Sequence, residues 1–243
     1  IGWIHPISLG LLAAFGIFIA MFSFHCQHLS KKGVAPLISL EVFSKSGFCL
    51  SVISLVLMQF TILGLSFLIP NYFQLVVGTG ATVAGSILLP GCALGAVLAP
   101  ISGKILDRFG AARPILAGSV AVIVGASLLF FTAGSISVMQ AIGIYLIFTF
   151  GQGLVVGNTM TTGLSLLGSH LKSDGNAVIN TLQQLAGALG TSVVTSIVAA
   201  SQNGAQDFAT ATMLGCRNAY LLLVVLLIVL FVCEASVVLR GRS

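Results

Sequence analysis

The sequence predicts an all-α integral membrane protein, a polytopic bundle of about seven transmembrane helices. Of its 243 residues, 57% are hydrophobic and 6% are charged, whereas a soluble domain carries roughly 25% charged residues because its surface faces water. Seven apolar runs approach the length of about 20 residues that a helix needs to cross about 30 Å of hydrocarbon. Nine of the ten Lys and Arg residues fall in alternate gaps between those runs or in the tail. Lipid is therefore the expected solvent for most of the chain.

The seven runs are expected to be helical, because lipid offers no partners for open backbone groups. The run 224–232 is rich in Val and Ile, which favour strands in water, but the length of the whole apolar segment favours a helix. The predicted spans are 7–27, 48–69, 82–101, 115–133, 137–158, 179–200 and 219–239.

The distribution of basic residues predicts an orientation in the cell membrane. Short loops that carry Lys and Arg stay on the cytoplasmic side, and only Arg217 lies in a gap of the opposite set. The start of the chain is therefore expected outside the cell and its end in the cytoplasm. The long polar gap after the first run is interpreted as a linker. The predicted domains are a leading span (1–27), a cytoplasmic linker (28–47) and a six-helix bundle (48–243).

Composition also argues against several kinds of partner and site. The net charge of +5 is explained by loops that face anionic lipid headgroups, and no basic, aromatic-interleaved stretch predicts a nucleic-acid partner. No pair among the five cysteines has metal-ligand spacing. Cys216, in a predicted outer loop, is the cysteine expected to be reactive. No phosphate loop, metal triad or other catalytic signature is present in the sequence, so we expect neither an enzyme nor a metal site.

The third gap, residues 103–114, is interpreted as a tight cytoplasmic turn between two helices. Gly103 and Gly110 allow close packing or a positive φ where the chain reverses. Asp107 can face a helix N-terminus and pair with a neighbouring Arg, and Pro114 suits the first turn of the next helix. From these residues alone, a basic turn with routine caps explains the pattern as well as a functional loop does.

The same residues carry a resemblance. The pattern Gly-x-Ile-Leu-Asp-Arg-x-Gly at 103–110 resembles the loop signature found between the second and third helices of each six-helix half in the major facilitator superfamily. Segments 70–90 and 176–190 are similar to the C-terminal half of the fourteen-helix drug:proton antiporters, in the same order and spacing. The basic pair that usually follows the last Gly is Ala111 and Ala112 here. The resemblance implies a cytoplasmic latch made of Gly103, Asp107, Arg108, Gly110 and Arg113.

The resemblance also implies an activity. Such antiporters consist of two six-helix halves that rock around a midplane site by alternating access, and they export amphipathic, often cationic compounds using the proton gradient and no cofactor. This chain corresponds to the last half and one extra span. The implied partners are a missing N-terminal half, a small-molecule substrate and the lipid bilayer. Because the chain opens on Ile1 without a basic leader, we expect no signal peptide and a chain cut from a longer protein. The alternative is a non-transporting membrane scaffold or a truncated, inactive transporter half.

Polar side chains inside the spans are the candidates for a substrate cavity. They are costly in hydrocarbon and usually face a bundle interior or a water-filled cavity; hydrogen bonding between helices is the alternative for each of them. The pairs Gly91-x-x-x-Gly95 and Gly153-x-x-x-Gly157 predict sites of close helix packing. The candidate cavity residues are Gln59, Gln152, Asn158, Asn180 and Gln184.

Glu234 is the only carboxylate well inside a predicted span. A carboxyl group in lipid favours its protonated form, which suits a proton relay. The residue also lies close to Arg240, near enough to the interface to snorkel or to pair locally. Proton handling and a structural role therefore both stay open for Glu234.

Overall fold

The computed structural model describes residues 39–240 without a break and, before them, residues 10, 13, 16–18, 20 and 21. For residues 239 and 240 only the backbone is described. The predicted leading span, 7–27, therefore lies largely outside the described residues, as does the part of the predicted linker from 28 to 38.

Six helical spans in the described part of the chain are long and apolar enough to cross a membrane. This confirms the all-helical membrane fold, and residues 39–240 contain no strand. One span is interrupted, because two helices share it with a break at residues 87 and 88. The helices are α1 (Ser46–Leu75), α2 (Ala81–Ser86), α3 (Leu89–Phe109), α4 (Ala112–Thr132), α5 (Val138–Ser165), α6 (Lys172–Gln202) and α7 (Phe208–Arg240), with short 3-10 helices at Leu40–Ser44 and Ser169–Leu171.

The helices extend further than the apolar runs predict. The gaps expected at 159–178 and 201–218 shrink to connections at 166–171 and 203–207. Helix α7, with 33 residues, is about 50 Å long at 1.5 Å per residue, so its first turns continue past about 30 Å of hydrocarbon. Arg217 consequently lies on a helix rather than in a loop, with its guanidinium carbon 5.0 Å from the ring centroid of Phe130.

Helix α1 occupies the centre of the packing, in contact with α5, α6 and α7. It runs parallel to α6, since Phe48 lies near Gly175 and Gly64 lies near Val194. Helix α4 instead meets α5 in an antiparallel crossing. The interrupted span of α2 and α3 is the least buried of the six, and α3 is held mainly by α5.

Two glycines let the backbones of α4 and α5 touch. A Cβ atom on Gly151 would lie 2.5 Å from the carbonyl oxygen of Gly118, and one on Gly118 would lie 2.7 Å from the carbonyl oxygen of Gly151. Small residues at such crossings allow close approach of membrane helices. The predicted close packing is confirmed at Gly91, against the Tyr145 ring, and at Gly153, against Leu98.

Gly157, the second glycine of the Gly153-x-x-x-Gly157 pair, does not pack closely. Apart from its chain neighbours and the backbone of its own helix, a Cβ atom placed there would have no atom of the described residues within 4 Å. The expectation of close packing at Gly157 was therefore wrong, because this face of α5 borders open space rather than a neighbouring helix.

The described basic residues outside α7 gather at one end of the bundle, in the last turns of α3 and at the starts of α1, α4 and α6. Arg217 lies towards the opposite end, beside Phe130 near the end of α4. This arrangement agrees with the charge asymmetry read from the sequence. Which end faces the cytoplasm stays a prediction.

Residues 39–45, the docked segment, close the end of the bundle where α1 begins. The backbone N–H of Ser39 donates a hydrogen bond to Asp174 Oδ2 at 2.8 Å, across 135 residues of sequence. Val42 is fully buried in a cluster that includes Phe48, Leu171 and Ile179. The last part of the predicted linker is therefore packed onto helix α6 and the turn before it.

Candidate functional site

A cavity of about 650 Å³ lies between helices α1, α3 and α5. It exists because small residues line the wall formed by α3, at Gly91, Gly95, Ala99 and Ser102. Their spacing of four, four and three residues puts them on one face of that helix. Two of the lining glycines, Gly103 on α3 and Gly157 on α5, have open space where a side chain would be.

Helix α5 supplies the polar wall of the cavity. Tyr145, Thr149 and Gln152 follow the spacing of a single helix face and all line the space. The Thr149 hydroxyl donates to the Tyr145 carbonyl at 2.9 Å, and the buried Asn158 amide donates to the Leu154 carbonyl at 2.8 Å. The half-buried Gln152 amide has no hydrogen-bond partner in the described part of the chain. It is therefore free to bond to something inside the cavity.

Two of the five candidate cavity residues, Gln152 and Asn158, line this cavity. Gln59 lies instead at the contact of α1 with α6, where its Cγ atom is 3.6 Å from the Cβ position of Gly187. Asn180 and Gln184 are exposed on α6, and Asn180 donates from its amide to a neighbouring carbonyl on the same helix at 2.8 Å. It stays a prediction that Gln59, Asn180 and Gln184 line a larger cavity, one that this bundle shares with another part of the protein.

Ser102 is one of several polar lining residues, with Ser66 and Thr161, that the sequence analysis did not single out. Its side chain is 2% exposed, and among residues 39–240 its hydroxyl has no hydrogen-bond partner. The available signal was the periodic row of small residues on α3, which ends at Ser102 one position before the loop signature. A serine in such a row is easily interpreted as packing, because the sequence does not show which side of the helix is open.

The end of α3, the turn after it and the start of α4 contain the five predicted latch residues. Gly110 ends α3 with a φ of 73°, and its N–H donates to the Leu106 carbonyl at 2.9 Å; the expected positive φ is confirmed here. Gly103 lies inside α3 and not at the reversal of the chain. Arg113 is exposed in the first turn of α4.

The expected pairing of Asp107 with a neighbouring arginine is absent. The Asp107 carboxylate is exposed and forms no ion pair or hydrogen bond within the described ranges. Arg108 is consecutive on the same helix, and consecutive helical residues do not face each other; its guanidinium carbon instead lies 5.4 Å from the Phe109 ring centroid. Arg113 lies beyond the turn at Gly110. The latch role of this loop stays a prediction.

Glu234 lies inside the bundle, where neighbouring helices cover its side chain. Its side chain is 0% exposed, and its Oε1 atom accepts a hydrogen bond of 2.7 Å from the Thr159 hydroxyl of α5. The Ser54 side chain on α1 also faces this carboxyl. The second oxygen, Oε2, has no partner in the described part of the chain. The snorkelling interpretation was therefore wrong, because α1 and α5 cover this face of α7.

Asn158 and Thr159 are consecutive on α5, and their side chains face different parts of the bundle. Asn158 borders the cavity, whereas Thr159 points to Glu234 on α7. Helix α5 itself thus lies between the cavity and the buried carboxyl. Neither the sequence spacing nor the composition could show this division, because it depends on how α5 is rotated in the bundle.

The reactivity expected of Cys216 was wrong. Cys216 is 0% exposed within α7, because the helix begins at Phe208 and not after the cysteine. Cys92 on α3 is exposed and lines the cavity. In the residues that the structure describes, no group of three His, Cys, Asp or Glu side chains could hold a metal ion.

Comparison with known proteins identifies the family. The family model of the Major Facilitator Superfamily matches residues 2–191. The chain is 28% identical over 228 residues to the lincomycin resistance protein LmrB of Listeria monocytogenes, covering 90% of this chain and 48% of the relative. It is 32% identical over 205 residues to LmrB of Bacillus subtilis, covering 83% and 41%. It is 25% identical over 202 residues to the multidrug resistance protein Stp of Mycobacterium tuberculosis, covering 82% and 36%.

The chain thus spans about half, or less, of the length of these relatives. The family match covers most of the chain and agrees with the bundle of apolar helices. It also agrees with the loop signature at residues 103–110. The chain is a multi-pass membrane protein and belongs to the Major Facilitator Superfamily.

Proposed function

We propose that this chain forms one half of a secondary transporter that exports amphipathic small molecules across the cell membrane. The observation that carries the proposal is the cavity of about 650 Å³ between α1, α3 and α5. It combines small and apolar walls with polar side chains that are not fully bonded. Cavities of a few hundred Å³ with few convergent polar groups are typical of small-molecule sites.

A polar face on α6 supports the need for a second half. The side chains at Asn176, Asn180, Thr181 and Gln184 are all exposed. Facing lipid, such side chains are costly, so a protein neighbour is their expected environment. A second six-helix bundle would cover this face together with the loosely packed α3. The two bundles would then rock around a site near the membrane midplane.

The relatives support the kind of substrate. Two of them are named for lincomycin resistance and one for multidrug resistance. For this chain we propose efflux of drug-like amphipathic compounds, with its basic loops on the cytoplasmic side.

Proton coupling is the second part of the proposal, and Glu234 is the candidate residue. Glu234 is a carboxyl buried between three helices, with one oxygen bonded to Thr159 and the other without a partner among residues 39–240. It can take up or release a proton only when the helices around it move. Proton binding at Glu234 would thereby be linked to the packing of α5, the helix that also lines the cavity.

The test is efflux from cells that express the full-length gene product. Cells loaded with ethidium, a fluorescent amphipathic cation, or with the uncharged dye Nile red are followed with and without an uncoupler of the proton gradient. Export of at least one dye that the uncoupler abolishes is the expected result. No difference from cells lacking the gene, for either dye, would overturn the proposed export.

A matched pair of variants on α7 tests the role of the carboxyl. Glu234→Gln keeps the size of the side chain and removes its titration, so proton-driven export is expected to fall. Ser236→Ala, two residues along the helix, removes only a hydroxyl that bonds to its own helix at 2.8 Å, so export is expected to stay unchanged. Equal export by both variants would exclude Glu234 from the coupling.

A further inference from the structure

The cavity wall made by α1, α3 and α5 carries no charge. Among its described lining residues there is no Asp, Glu, Lys, Arg or His. The buried carboxyl of Glu234 lies outside this wall, because it bonds to Thr159 on another side of α5. A charged group in the cavity would therefore meet no counter-charge on this wall, and an uncompensated charge in a low-dielectric site is costly.

Two neutral groups on the wall have unused hydrogen-bonding capacity. The Gln152 amide, which has two donor hydrogens and an acceptor oxygen, has no partner in the described part of the chain. The Ser102 hydroxyl is 2% exposed and likewise unpartnered within residues 39–240. Thr149 and Asn158, by contrast, already donate to carbonyls of their own helix. Leaving a polar group unpaired in an apolar site is unfavourable. The Ser102 oxygen is fully enclosed, so the half-buried Gln152 amide is the group that a ligand can reach and where a hydrogen bond gains most.

The rest of the wall suits the apolar part of a ligand. Tyr145 lies seven residues before Gln152 on the same helix face, which places it about 10 Å along α5. Ile62 and Val156 add apolar surface to the same cavity. An aromatic or aliphatic end near Tyr145 and a hydrogen-bonding end near Gln152 would match this layout.

We propose that this wall recognises the uncharged, hydrogen-bonding part of an amphipathic substrate, a hydroxyl or carboxamide group held by Gln152. The inference rests on the proposed function and narrows it, since the charge of a cationic substrate has to be met elsewhere in the protein. The Gln152 amide both donates and accepts, so it fits a hydroxyl or an amide better than an ammonium group, which only donates.

Cys92 provides a native probe of the same cavity. In membranes that contain the full-length gene product, it is treated with three methanethiosulfonates, which carry an ethyl group, a hydroxyethyl group or the bulkier, cationic trimethylammonioethyl group. Mass spectrometry of the peptide that contains Cys92 gives each rate, and each rate is divided by the rate with a small free thiol. The rate with the ethyl reagent measures how readily an apolar reagent reaches Cys92 from the lipid. Dividing the other two rates by it removes that contribution.

Three variants on α5 make the test specific. Gln152→Leu is expected to lower the ratio of hydroxyethyl to ethyl rates by about two- to tenfold, the value of one neutral hydrogen bond. Gln152→Glu is expected to raise the ratio of trimethylammonioethyl to ethyl rates, because it adds the missing counter-charge. Gly143→Ala, where a Cβ atom meets nothing within 4 Å, is the control and should change neither ratio.

The outcomes separate this inference from the proposed function. Ratios that are the same in Gln152→Leu and in the unchanged protein would mean that the Gln152 amide meets only water, and would overturn the inference. A trimethylammonioethyl rate at Cys92 equal to or above the hydroxyethyl rate in the unchanged protein would also overturn it. Shifted ratios without any dye export would retain the neutral site and reject the export function. Dye export with unshifted ratios would retain the export function and reject the neutral site.

Discussion

The contact of Gly118 with Gly151 predicts that adding one methyl group at Gly151 lowers the stability of the protein strongly. In Gly151→Ala, the new Cβ atom would lie 2.5 Å from the Gly118 carbonyl oxygen, 2.8 Å from the Val122 nitrogen and 2.9 Å from Ala121 Cβ. Ordinary contact begins at 3.4 Å, so α4 and α5 have to separate by roughly 0.9 Å. Two of the three obstructing atoms belong to the backbone, which cannot rotate away as a flexible side chain can. Overpacking of this kind costs about 1–3 kcal/mol.

Gly143→Ala is the matched control, because it makes the same chemical change on the same helix in open space. Both variants gain the same helix propensity, up to about 1 kcal/mol, so their difference isolates the cost of the contact. At about 2–4 °C per kcal/mol for a domain of this size, Gly151→Ala is expected to unfold about 2–12 °C below Gly143→Ala. The measurement is thermal unfolding of the detergent-solubilised protein. A midpoint for Gly151→Ala at or above that of the control would refute the close crossing of α4 and α5.

Three further results are expected. Asp107→Ala should slow export without lowering the amount of protein inserted in the membrane, and export at the normal rate would count against the latch. A membrane-permeant thiol reagent should modify the exposed Cys92 and leave the buried Cys216 unmodified until the protein unfolds; the reverse order would contradict the start of α7 at Phe208. Hydrogen bonds from Thr210 lower the pKa of Asp207 below its ordinary value, so the cap that begins α7 is intact above the unfolded-state pKa of about 4 and is lost as the pH falls through the lower, folded-state value. The protection of the amides in that first turn, relative to their intrinsic exchange rates at each pH, should fall in acid, and Asp207→Asn should abolish the fall.

The six described spans could be predicted from apolar length alone. Each predicted run from 48–69 onwards overlaps one of the six helical spans. Their ends could not be predicted, because a helix continues into water wherever polar residues satisfy its backbone. Asp207 does this at the start of α7, which begins at Phe208 and not at the predicted residue 219. At the start of α5, where Ser137 forms a capping box with Gln140, the predicted and observed ends agree within one residue. A hydropathy pattern indicates which residues are apolar enough to lie in lipid, but it does not show where the backbone hydrogen bonds of a helix end.

The candidate site was predictable only in part, for a similar reason. Gln152 and Asn158 stand out in the sequence as polar residues within an apolar run, and both line the cavity. Whether a small residue borders a void or a neighbouring backbone depends on helix rotation, which the sequence does not give. Gly157 and Gly151 illustrate this, since they lie six residues apart on α5 and face open space and a close crossing respectively.

The anchoring of residues 39–45 couples the starts of two helices. Because Val42 is fully buried and the Ser39 backbone bonds to Asp174, a displacement of the start of α6 is passed through this segment to the start of α1. Residues inserted beside Val42 would withdraw its side chain from the cluster with Phe48 and Ile179 and would uncouple the two helices.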